Sequence, residues 1–156
     1  MVPFCIFAKT LNQNTMQVKG TGIKTTLSFV KENHPSRFDE WLQALPAESK
    51  KLYSGIVDVS QWYPLKEAYL QPLDKIIELF YQGNAKTGAE VLGKYSADVA
   101  LKGIYKVFLL IATPAYLMKR ASKILTTFYI PSEVIIKSST NKSVTMQIAK
   151  FDMINE

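Results

Sequence analysis

Proline sets the outer limits of this fold. Pro35, Pro46, Pro64, Pro72 and Pro114 punctuate the chain. Each lacks a backbone donor and biases the residue before it away from the helical region. Between these breaks the apolar residues recur at helical spacing, so the chain reads as a succession of short helices. Ile23, Leu27 and Val30 give a helix over about residues 22–33. Pro35 ends it, and Ser36 is placed to cap a second helix whose stripe is Phe38, Trp41, Leu42 and Leu45. Pro46 opens a short helix over residues 47–53, stopped by Gly55.

The segment IVDVS, residues 56–60, alternates like a short extended piece. After QWYP, Pro64 suits the first turn of a long helix to residue 81, with Gly83 as its stop and a kink or break at Pro72. Its buried face is Leu65, Ala68, Tyr69, Leu73, Ile76, Ile77 and Phe80. Asn84 caps a further helix to about residue 112, and Thr113-Pro114 restarts a helix to about residue 128. That last helix turns Leu117, Ala121, Ile124 and Leu125 inward and leaves Lys119, Arg120 and Lys123 wet. From Glu133 the text changes to EVIIKSSTNKSVTMQIAKF, two β-rich runs around a Ser/Thr/Asn turn, which is an antiparallel hairpin. The fold class is therefore α+β and predominantly helical, a helical layer with a small C-terminal antiparallel β element. Residues 1–15 form an N-terminal extension, and residues 16–156 a single domain.

Composition narrows the function classes. The chain has 156 residues, 47% hydrophobic and 21% charged, which suits one domain with a sizeable core. No apolar run approaches the roughly 20 residues of a membrane span. Cys5 is the one cysteine, so an intrachain disulfide and a Cys-rich zinc site are excluded, and a reducing, cytoplasmic setting is expected. The net charge of +6 raises nucleic acid as a partner. The lysines are scattered, however, and no helix-turn-helix, zinc-finger or RNP-type signature accompanies them.

The candidates for chemistry are few. His34, the only histidine, lies at a helix C-terminus, where interaction with the helix dipole is its expected role. The carboxylates Asp39/Glu40, Glu67 and Asp74/Glu78 read as surface groups. KGTGIKTT imitates a phosphate loop without matching one. Gly20 and Gly22 leave weak anion binding at a helix N-terminus as the alternative to an ordinary approach to that helix. In LGKYSADVALKGIYKVFLL, residues 92–110, Gly93 and Gly103 each cost about 1 kcal/mol against Ala. They are expected to admit a close neighbour, the residue 62–81 helix or the sheet. The alternative is that they line an apolar cleft with Tyr95 and Tyr105. Trp62, Tyr63, Tyr95, Gly103 and Tyr105 are accordingly the candidate ligand-binding residues. No catalytic residue, metal ligand or cofactor is assigned.

The runs VKGTGIKTTLSFV, LQALP, QWYPL and LGKYSADVALKGIYKVFLLIATPAYLMKRASKILTTFY together resemble a family of uncharacterised bacterial proteins. That family is marked by WYP and by GxYSAxxALxGIYxVF ahead of a Ser/Thr-Pro step. It is in turn distantly similar to haem–nitric oxide/oxygen-binding sensors and vinyl-reductase-like domains, which include Golgi-transport subunits. The likeness spans about residues 18–151. It implies a helical layer on a C-terminal antiparallel sheet with a cleft between them. Haem is not implied, because the sensors place a histidine on the helix before their sheet and residues 92–128 contain none. The C-terminal cysteines common in the vinyl-reductase-like relatives are absent too. The leading expectation is a non-enzymatic sensory or signalling domain holding a small apolar ligand in the cleft. The alternative is a scaffold for a protein partner or homodimer, and an enzyme is the weakest reading.

Overall fold

The computed structural model describes residues 16–102, 123, 125–140 and 144–149. It is α+β and predominantly helical. In order come β1 (Gln17–Lys19), α1 (Gly20–Asn33), a 3-10 turn (Pro35–Arg37), α2 (Phe38–Ala44) and α3 (Ala47–Ser54). Then follow β2 (Trp62–Pro64), a π-turn (Lys66–Leu70), α4 (Gln71–Phe80), α5 (Ala85–Lys102), β3 (Tyr129–Ile130), β4 (Glu133–Ser139) and β5 (Val144–Ala149). Residues 1–15 and the expected helical stretch over residues 103–122, with its Thr113-Pro114 step, lie outside the described residues.

The expected C-terminal hairpin is present. β4 and β5 pair antiparallel, with Val134 opposite Ile148 and an irregularity between Ile136 and Ser138. A second sheet was not foreseen. β1 is its centre, paired antiparallel with β2 on one side and β3 on the other, so Val18 lies opposite both Tyr63 and Tyr129. Strands of two or three residues are too short to alternate visibly, and Pro64, expected in the first turn of a helix, is instead the last residue of β2. IVDVS is not extended structure either. Asp58 accepts bonds from the Ser60 backbone N–H at 2.8 Å and hydroxyl at 2.7 Å. That local turn competes with any ladder.

The core is centred where the helices meet the sheet. Trp41, Phe29, Met16, Ile23, Ile76, Leu92, Val18 and Val30 are all but removed from water. Those on α1, α2 and α4 follow the helical periodicity, and Met16, Val18 of β1 and Leu92 of α5 complete the core. Gly20 opens α1, two residues before the sequence suggests, and its N–H donates to the Gln61 carbonyl at 2.9 Å. A Cβ there would lie 2.1 Å from the Asp58 carbonyl oxygen. Hence glycine at this position admits the 58–61 loop, and the loop's carbonyls occupy the helix end offered above to an anion. Ser36 caps nothing; Arg37 is the N-cap residue of α2, and it forks onto Glu40 at 2.7 and 2.8 Å. Asn84 does cap α5, accepting from the Thr87 N–H at 3.1 Å. Gly83, at φ +78°, closes α4 by donating to the Ile77 carbonyl at 3.0 Å.

Candidate functional site

Pro72 builds the most unusual feature of the molecule. In an α-helix the N–H at position 72 would bond the carbonyl of Ala68; Pro72 has no N–H to give, and its ring would press against that carbonyl. The chain answers with a π-turn over Lys66–Leu70, in which the Gln71 N–H reaches back five residues to the Lys66 carbonyl. Single π-turns of this kind recur at functional sites. The freed Ala68 carbonyl accepts instead from the Tyr53 hydroxyl at 2.9 Å. Trp41 Nε1 donates to the Pro72 carbonyl at 3.2 Å, and the Ser49 hydroxyl to Gln71 Oε1 at 2.7 Å. So Tyr53 of α3 supplies, from the side, the hydrogen bond that the proline denies to Ala68, and Trp41 and Ser49 tie α2 and α3 to the same segment.

Two further phenols lie beside Tyr53. The Tyr69 and Tyr129 rings meet edge to face with centroids 6.0 Å apart, and Trp41 meets Tyr53 edge-on at 5.1 Å. Burial raises the pKa of all three tyrosines above the ordinary phenol value. Of these hydroxyls, that of Tyr53 is a buried structural donor, while Tyr69 and Tyr129 pack half-buried against the core.

The opposite side of the same turn is an open groove of about 520 Å³. Leu52, Gly55, Ile56 and Pro64 give it an apolar lining, and Glu48, Lys51 and Glu67 stand among them. Ile56 is fully exposed, 103% against its reference value. The described ion pairs, Arg37–Glu40 and Lys75–Glu78, lie elsewhere and use none of the groove's charged side chains. Sequence reasoning missed this groove, because Glu48, Lys51 and Leu52 of α3 meet Gly55 and Ile56 of the loop, Pro64 of β2 and Glu67 of the π-turn only through tertiary placement. Its one sequence signal is the proline of WYP.

The residues expected to bind a ligand are dispersed. Trp62 on β2 is half-buried beneath Lys19, whose Nζ lies 5.2 Å from the ring centroid. The Tyr63 hydroxyl accepts from the Asp58 N–H at 3.1 Å and serves the loop. Tyr95 packs edge-on against Phe29 at 5.3 Å, and its phenol is pushed up to about 12, by burial first and then by the Glu32 carboxylate. Gly103 and Tyr105 lie outside the described residues. Among the described residues, nothing lies within 4 Å of a Cβ built at Gly93, so the close neighbour expected there is not one of them. The close helix contact is at Gly88, where a Cβ would fall 2.6 Å from Ile77 Cγ1 and 3.3 Å from Tyr81 Cδ2. His34 is the C-cap residue of α1, the helix C-terminus expected for it, and its ring also turns into a set of aromatic neighbours.

Comparison with known protein families, curated proteins and solved structures finds no match. Among the described residues, no group of three or more His, Cys, Asp or Glu is placed to hold a metal ion. Nor is any described helix long and apolar enough to cross a membrane.

Proposed function

We propose that this chain is a non-enzymatic binding domain, of the sensory or signalling kind, that takes a small apolar ligand without haem. The ligand lies in the groove between α3 and the π-turn, and a cationic end favours it. The groove's volume of about 520 Å³ carries the reading, because small-molecule sites commonly span about 300–1,000 Å³. The exposed Ile56 supports it, being a large apolar side chain left in water. Glu48 and Glu67 outnumber Lys51 on the lining and so prefer a positive charge. The fold implied by the bacterial family described above, with its sensor-like relatives, is compatible with the same proposal.

The test is a titration of the ¹⁵N-labelled chain with octylammonium, octanol and octanoate below their micellar concentrations, followed by amide NMR. The amides of Leu52, Gly55, Ile56 and Glu67 should move in the order octylammonium, octanol, octanoate, and Ile56→Ser should weaken all three responses. Movement confined to the Tyr95–Phe29 contact, or none with any probe, overturns the proposal.

A protein partner or homodimer is the second reading. It is favoured by Ile135 and Ile136, adjacent on β4 and therefore on opposite faces, yet 37% and 41% exposed. Sedimentation across a concentration series tests the homodimer, and a mass that stays monomeric rejects it.

A further inference from the structure

We infer that His34 is a pH-sensitive latch that ties the α1–α2 corner to the end of α4. It is closed while the imidazole is neutral and loosened when the ring takes a proton. The ring stacks on Phe80, with centroids 4.0 Å apart and planes 14° from parallel. Phe29 from α1 and Tyr81 from the end of α4 meet it edge-on at 5.9 and 6.0 Å. The ring as a whole is half-buried, and its Nε2 is shut off from water with no hydrogen-bond partner among the described residues. The neutral ring fits an apolar box; an imidazolium would carry an N–H there with no acceptor, a costly burial of charge.

The charged neighbour is tethered close by. Arg37, in the 3-10 turn, is held by its fork onto Glu40 and by a 2.9 Å bond from Nη1 to the Leu79 carbonyl. Its guanidinium also lies over the Phe80 ring, 5.1 Å from the centroid. A protonated His34 would therefore share Phe80 with an existing cation, which offsets the cation–π gain it would otherwise make. Among the described residues, the titratable and charged groups facing the imidazole are Arg37, with Glu40 bound to it, and the Tyr81 phenol. Burial raises the Tyr81 pKa, so it stays neutral across the range of interest. From α5, Tyr95 reaches Phe29. Burial first, then Arg37, lowers the His34 pKa below its ordinary value of 6.5.

The sign follows from linkage. Above about pH 7 the ring is neutral in both folded and unfolded chains, and the latch contributes fully. As the pH falls below about 6.5 the unfolded chain binds a proton that the closed latch refuses, so stability is lost. Because His34 is the only histidine, its C2 proton can be followed by NMR in the full chain without ambiguity. The expected midpoint lies below 6.5 and moves upward in Arg37→Gln. The melting temperature of the wild type should fall between pH 7 and pH 5, while that of His34→Phe stays level. A wild-type midpoint at or above 6.5, no upward movement in Arg37→Gln, or parallel losses in wild type and His34→Phe overturns the inference. Should His34→Phe not fold, the two NMR midpoints decide.

Discussion

The two sides of the π-turn are made from neighbouring residues and treat polar groups in opposite ways. On the inner side Tyr53, Trp41 and Ser49 each find an acceptor on the Ala68–Pro72 segment, and all three are buried. On the outer side, one residue from Tyr53 and one from Ala68, Leu52 and Glu67 line a groove where Ile56 stands in water. A buried donor or acceptor without a partner costs about 1–3 kcal/mol, so the inner side cannot leave its groups unpaired. Groups on the outer side are solvated and free to meet a ligand. The same break in the helix thus produces a structural face and an available one.

Substitutions should separate the faces by size of effect. The largest is expected from Tyr53→Phe, which keeps the ring against Trp41 but orphans the Ala68 carbonyl. Its cost should be about 1–3 kcal/mol by urea unfolding, and a loss below a few tenths would erase the distinction. Next come the glycines of α5, which behave oppositely. Gly88→Ala gains about 1 kcal/mol of helix propensity but presses on Ile77 and Tyr81, where overpacking costs roughly 1–3 kcal/mol. It should destabilise. Gly93→Ala meets none of the described residues within 4 Å and should stabilise by up to about 1 kcal/mol. The reverse order in thermal melts would place the α4–α5 contact elsewhere. The smallest effect belongs to the outer face: Ile56→Ser should change stability by no more than about 0.5 kcal/mol, though it weakens the probe binding.

Much of this architecture was legible in the sequence, and the exceptions share a cause. Helical stripes such as Ile23/Leu27/Val30 and Phe38/Trp41/Leu42/Leu45 repeat often enough to be seen, and so do the Asn84 cap, the Gly83 stop and the long hairpin strands. The break at Pro72 was legible, but its form was not. Whether a proline yields a kink or a π-turn depends on which side chain reaches the freed carbonyl, and Tyr53 lies 15 residues from Ala68. Glycines show the same limit. Gly93 and Gly88 occupy one helix, and only the position of Ile77 tells which of them is needed. The candidate ligand-binding aromatics do not converge among the described residues: Trp62, Tyr63 and Tyr95 each serve a separate contact, and Gly103 and Tyr105 lie outside those residues. The groove instead gathers Leu52, Ile56, Pro64 and Glu67 through tertiary placement alone.

The central claim is that the Tyr53 hydroxyl replaces the hydrogen bond that Pro72 denies to Ala68. A double-mutant cycle of Tyr53→Phe with Pro72→Ala, read by urea unfolding, tests it most directly. Pro72→Ala restores an N–H that can serve the Ala68 carbonyl, so the cost of Tyr53→Phe should fall by more than half in that background. The coupling should reach at least about 0.5 kcal/mol, the lower end for groups in direct contact. An equal cost of Tyr53→Phe in both backgrounds would contradict the account.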